Sequence, residues 1–184
     1  MQFFHRHSRH RRPRLLQLFP ATLELSLAAL AISSVLGSIL GILSALKKGS
    51  IGDNVLTVFG MIGVSIPQFF FGMLCILVFA LDWAILPIGG RMAPGETGIW
   101  NHFKYLILPA SVLGVSLTAG VMRYSRSSML DTMNKDYIKT ARAKGLPEWK
   151  VLGKHAMRNA ILPVVTYIGP MFAALITGSF VVEK

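Results

Sequence analysis

At 184 residues the chain has the length of one domain, but 53% hydrophobic residues, 15% charged residues and a positive mean hydropathy exclude an ordinary water-soluble one. A net charge of +11 raises nucleic acid as a partner; the basic residues, however, flank long apolar runs, where topology and anionic membrane lipid account for them, and no nucleic-acid partner is expected. The single cysteine, Cys75, leaves no internal disulfide and reads as a small buried hydrophobe.

The chain opens on a basic stretch, residues 1–14, that holds Arg6, Arg9, Arg11, Arg12, Arg14 and several histidines. Long runs without Asp, Glu, Lys or Arg follow at 25–46, 55–81, 106–122 and 161–182. A bilayer core needs about 20 helical residues, so each run is a candidate span. Buried helices of a soluble bundle would keep a polar face, and a transmembrane barrel would alternate along each strand; these runs do neither. The expected fold is all-α, a polytopic membrane helical bundle with about four transmembrane helices.

Orientation follows from positive charge, which is retained on the cytoplasmic side. The segment 123–160 holds nine Lys or Arg and is placed inside. Alternation then puts 47–54 inside, with Lys47 and Lys48, and 82–105 and the terminal Glu183-Lys184 outside. Residues 1–14 would also lie outside, against the same rule. A secretory signal is an alternative, but 25–46 is long for a cleaved core and lacks a small-residue cleavage site before its polar end. The preferred expectation is that an upstream span is missing and that 1–14 is a tail foreign to the rest. The stop just after an apolar run gives a parallel expectation of truncation at the C-terminus.

The polar island 123–160 carries helical periodicity. Met129, Leu130, Met133, Tyr137, Ile138 and Ala141 recur every three or four residues, with Arg126, Asp131, Lys135, Lys139 and Arg142 mostly elsewhere, so one amphipathic helix is expected to continue from the third span. Gly145 suits a helix stop because it takes positive φ without a clash, and Pro147 suits the first turn of a new helix, with Glu148 favourable near its start. The second helix is expected over 147–159, with Trp149, Val151, Leu152, His155 and Ala156 as its less polar positions. The unit reads as helix, tight turn, short helix. Three uses stay open on pattern alone: a solvated loop against lipid headgroups, a DNA-reading helix-turn-helix, and a short helix docked into a groove of a partner subunit.

No Gly-x-x-x-x-Gly-Lys-Ser/Thr and no His-Glu-x-x-His occurs, so no nucleotide cradle or zinc hydrolase site is expected. No catalytic residue, metal ligand or cofactor is assigned, and an enzyme is not expected.

The run Asp136-Tyr-Ile-Lys-Thr-Ala-Arg-Ala-Lys-Gly-Leu-Pro147, followed by His155-Ala-Met-Arg-Asn-Ala160-Ile-Leu-Pro163, resembles the cytoplasmic loop of permease subunits of bacterial ABC importers, in the peptide and nickel branch. The general loop of that superfamily reads Glu-Ala-Ala, three residues, Gly, nine residues, Ile-x-Leu-Pro. Here Ala141 and Gly145 are in register, while Lys139-Thr140 and His155-Ala-Met-Arg158 depart from it in the manner of the peptide branch. Further matching stretches are Phe19-Pro-Ala-Thr-Leu-Glu-Leu25, Ser65-Ile-Pro-Gln-Phe69, Leu86-Pro-Ile-Gly89 and Leu106-Ile-Leu-Pro-Ala110. The resemblance covers 15–184, an incomplete permease domain whose 123–160 would be the coupling loop.

The resemblance implies a permease subunit, multi-pass in the bacterial inner membrane, that translocates peptides. A second permease subunit would complete the pore, two cytoplasmic ATPase subunits would hydrolyse ATP, and an external periplasmic binding protein would deliver substrate. Import of nickel or glutathione, or a truncated remnant that does not transport, are the alternatives. In that frame Thr140, Ala141, Arg142, Ala143, Lys144, Gly145, Leu146, Pro147, Trp149, Lys150 and His155 would form the ATPase-coupling region. Leu146 and Trp149 would be its apolar anchors and Arg142, Lys144 and Lys150 its charged rim, with burial at the membrane interface the competing role for Trp149. Polar residues within spans are the pore candidates: Ser65, Gln68, Thr118, Thr166, Tyr167 and Thr177, with Gln68 first. Ser and Thr also satisfy carbonyls of their own helix, which makes packing the commoner role. Pro67 and Pro170 are expected to bend their helices, and Gly37, Gly41, Gly60 and Gly63 to permit close helix contacts.

Overall fold

The computed structural model describes residues 11–88 and 98–182, with side chains over 19–88 and 98–177. Among these residues all regular structure is helical. The elements are α1 (Arg11–Leu46), α2 (Ile51–Ser65), α3 (Gln68–Cys75), which runs on as a π-helical segment Ile76–Asp82, α4 (Ile99–Met133), α5 (Asp136–Ala143), α6 (Glu148–Lys150), which passes through a second π-helical segment Val151–Ala156, and α7 (Met157–Val182). The expectations placed on 1–10, on 89–97 of the outer loop and on Glu183-Lys184 lie outside the described residues; Arg11–Arg14 form the first turn of α1.

α4 is the central helix, and α1, α2, α3 and α7 all pack on it. Lipid tails are as apolar as leucine, so burial does not drive spans together; close packing does, and it needs small residues at the seam. α1 runs parallel to α4. A Cβ on Gly37 would lie 2.7 Å from Val121 Cβ, one on Gly41 would lie 2.4 Å from the Met122 carbonyl oxygen, and one on Gly114 would lie 2.8 Å from Ile32. Gly60 and Gly63 are different: a Cβ there meets α4 side chains at 3.4 and 3.6 Å, ordinary contact distance. Close approach therefore belongs to Gly37 and Gly41 and not to the α2 pair.

The sequence predicts one span over 55–81, but the structure breaks it. α2 and α3 meet at Ile66-Pro67 with a bend of 98°. Pro67 has no N–H to continue the ladder, and its ring drives the preceding Ile66 into extended backbone, φ −77 and ψ 122. Pro163 and Pro170, by contrast, lie within an unbroken α7. Three helices are long and apolar enough to cross a bilayer, Phe19–Leu46, Ile99–Met133 and Glu148–Thr177, and the bent pair makes a fourth if taken as one span. The chain is thus an integral, multi-pass membrane protein.

Candidate functional site

The polar island folds back on the ends of the spanning helices. α4 continues well past its apolar run, to Met133. The single amphipathic helix expected through Ala141 is interrupted: Lys135 is extended at φ −70 and ψ 148, and α5 starts afresh at Asp136. Periodicity missed this break because Met133 and Tyr137 are four apart whether or not the backbone turns between them. Met129, Ile138 and Ala141 still reach one core, with Ala45, Val151, Ala156 and Ala160; Ile138 and Val151 are completely buried. This core joins α5 and the second π-helical segment to the ends of α1, α4 and α7.

The turn at the tip is a Schellman motif. Gly145 stands at φ +75, its N–H donates to the Arg142 carbonyl at 2.9 Å, and the Leu146 N–H donates to the Ala141 carbonyl at 3.3 Å. Residues with a Cβ are strained at that φ, which is why glycine is required there. Pro147 caps α6 from outside, at φ −64 and ψ 142, instead of opening its first turn. Arg142 Nη2 and Nε donate to the two carboxylate oxygens of Glu148 at 2.6 and 3.2 Å, clamping the turn across its base. That hydrogen bond and charge raise the Arg142 guanidinium still higher. On α5, Lys139 donates to Asp136 at 2.9 Å and holds its carboxyl below the usual carboxylate range, while the Thr140 hydroxyl donates to the Asp136 carbonyl.

The second helix divides its less polar residues. Val151 and Ala156 turn into the core, whereas Trp149 is 72% exposed, with Lys150 Nζ 5.3 Å from its ring centroid. Leu146, Trp149, Lys150 and His155 line an open groove of about 880 Å³. The groove also takes in Lys154, Met157, Arg158 and Ile161, which were not predicted. Lys150, Lys154 and Arg158 sit four apart and exposed, a spacing legible in the sequence that the π-helical backbone through 151–156 re-aims. Among the predicted residues Ala141 belongs to the buried core, Ala143 and Lys144 close α5, and Arg142 is engaged with Glu148 away from the groove lining.

Four of the pore candidates are satisfied within their own helices. The hydroxyls of Ser65, Thr118, Thr166 and Thr177 donate to the carbonyls of Met61, Gly114, Leu162 and Ala173 in their own helices. Thr118 is buried beside the Gly37 contact of α1 and presents no open face. Gln68 is exposed at the start of α3, next to the Pro67 break. Tyr167 stacks on Tyr124, ring centroids 4.0 Å apart and planes 17° from parallel.

One polar centre was not anticipated at all. Asp53, on the first turn of α2, is buried and receives Arg126 Nε and Nη2 at 2.9 and 2.8 Å. Ser44 of α1 and the Gly49 N–H also donate to it. The helical periodicity of the sequence puts Arg126 mostly off the apolar face and offers no partner for it. No local pattern pairs residues 73 positions apart.

A family described as the binding-protein-dependent transport system inner membrane component matches residues 37–184. The chain is 41% identical over 168 residues to the oligopeptide transport system permease protein OppB of Haemophilus influenzae, covering 90% of this chain and 52% of that protein. It is 43% identical to the oligopeptide permease protein AppB of Bacillus subtilis, with the same coverage, and 37% identical to the dipeptide permease protein DppB of Escherichia coli, covering 55% of that protein. The chain therefore spans about half the length of the curated relatives it matches. Among solved structures, an amino acid ABC transporter crystallised with histidines is similar in fold, with a TM-score of 0.62 at 15% identity over 94% of this chain and 73% of that one.

Proposed function

From the premise that the chain belongs to the binding-protein-dependent transport system inner membrane component family, we propose that it is a permease subunit of an ATP-driven peptide importer in the bacterial inner membrane. A second permease subunit completes the pore, two cytoplasmic ATPase subunits supply the energy and a periplasmic binding protein supplies the peptide. The peptide-permease relatives support the substrate class.

The docking loop is residues 123–160, on the cytoplasmic side. The observation that carries this reading is the division of labour at its tip: Ile138 and Val151 are wholly buried while Trp149, a few residues away, is left 72% exposed beside the groove. A large aromatic on a rigid turn is the side chain that anchors a helix-in-groove contact. Leu146 and Trp149 enter a cleft of the ATPase, and Lys144, Lys150 and Lys154 face its acidic rim. Gln68, at the α2–α3 break, faces the peptide pathway. Pull-down of the full-length protein from detergent, with partners identified by mass spectrometry, tests the reading: a paired permease and two ATPases are expected, and their absence at normal yield sinks it.

A further inference from the structure

We infer that the Asp53–Arg126 pair is a transmission joint that makes the docking loop, α1 and α2 move as one body, so that movement at the loop reaches the Pro67 break. This rests on the docking reading above and goes beyond it, since neither residue belongs to the docking tip.

The pair has the construction of a joint. Asp53 is 3% exposed, and its carboxylate is engaged on both oxygens by α4 through Arg126, by α1 through Ser44, and by the α1–α2 turn through the Gly49 N–H. Three elements thus meet at one charge. Arg126 Nε also donates to Ser44 Oγ at 3.0 Å, closing a triangle. Gly41 makes it possible: its bare backbone lies against Met122, Ser125 and Arg126 and brings α1 close enough for Ser44 to reach the pair.

The joint lies next to the docking unit, in the direction that matters. The residue after Ser44 on α1, Ala45, and Met129, about one turn beyond Arg126 on α4, enter the core shared with Ile138, Val151 and Ala160. On the other side, Asp53 belongs to α2, whose N-terminus is fixed by Ser50 Oγ accepting from the Asp53 N–H at 3.2 Å. α2 spans about 22 Å at the usual rise of about 1.5 Å per residue, and its far end is the 98° break. A displacement of the docking unit thus moves the foot of a short rod whose head is the hinge. A buried charge cannot be left unpaired without a large penalty, so the pair resists slippage more strongly than an apolar contact would.

The test uses the full-length protein assembled with its partners in proteoliposomes, with uptake of a labelled alanine tripeptide and ATP hydrolysis read on the same vesicles. In Asp53→Asn, ATPase recruitment should persist while peptide taken up per ATP falls about tenfold, within the range of an ordinary coupling free energy. Asp53→Glu should recover part of the loss, and Arg126→Lys, which keeps the charge but not the two-point geometry, should fall between. Uptake per ATP equal to the unaltered protein in Asp53→Asn or in Arg126→Lys overturns the inference, even if yield or melting temperature drops. An unaltered protein that recruits no ATPase removes the docking reading first, which keeps the two failures distinct.

Discussion

At the scale of single residues, Gly145 is where local chemistry is most constrained. Proline there would lock φ near −65° against the observed +75° and remove the N–H that donates to Arg142. Gly145→Pro is expected to abolish ATPase co-purification while membrane insertion and helicity by circular dichroism stay intact; partner recovery at normal yield refutes this. The glycines at helix contacts give a second, differential prediction. Gly41→Ala places a Cβ 2.4 Å from a backbone oxygen that cannot move aside, at a cost of about 1 to 3 kcal/mol, whereas Gly63→Ala meets only Ala119 at 3.6 Å and is expected to be neutral. Thermal melts of the two variants in detergent compare them directly. The sequence marked both glycines alike as small residues in apolar runs, because composition records what is absent from a side chain and not what lies opposite it.

At the scale of elements, the 123–160 segment packs a small core against Ala45 at the end of α1. Ile138→Ala empties a fully buried site and is expected to cost about 2 to 5 kcal/mol, read as earlier proteolysis of the 134–150 region. The Arg142–Glu148 clamp is exposed on both partners and screened by solvent, so Glu148→Gln should leave the melting temperature nearly unchanged, and any difference should vanish at high salt. Asp136, exposed on α5, makes a small contribution to the pH dependence. Its folded-state carboxyl is lowered by Lys139, so the pair's contribution is complete above the ordinary carboxylate range and is lost as pH falls through the lowered value. Asp136→Asn should flatten that acid-side decline. Proline marks the limit of element-level reading. Pro67 and Pro170 looked equivalent in sequence, yet only Pro67 breaks its helix. Pro67→Ala should straighten the α2–α3 pair, lengthening the distance between spin labels at Val55 and Leu77 measured by pulsed electron resonance.

At the scale of the whole molecule, α4 gathers the other long helices, parallel to α1 and antiparallel to α2 and α7, with α3 turned 98° from α2 against it. The arrangement sets the 47–50 turn and the polar island at the same end, where Asp53 meets Arg126 and Ala45 meets Ile138. What the sequence by itself determined were the features whose causes act within a few residues of chain. The apolar runs are long because a bilayer is thick, the Gly145 turn exists because only glycine tolerates its φ, and the Lys and Arg of the island lie where water is. Tertiary structure decided the rest: which glycines touch, that Trp149 stays outside while Val151 goes in, and that Arg126 is partnered instead of solvated. Those outcomes depend on atoms brought together from distant parts of the chain, and a charge pair 73 residues apart has no local propensity to announce it.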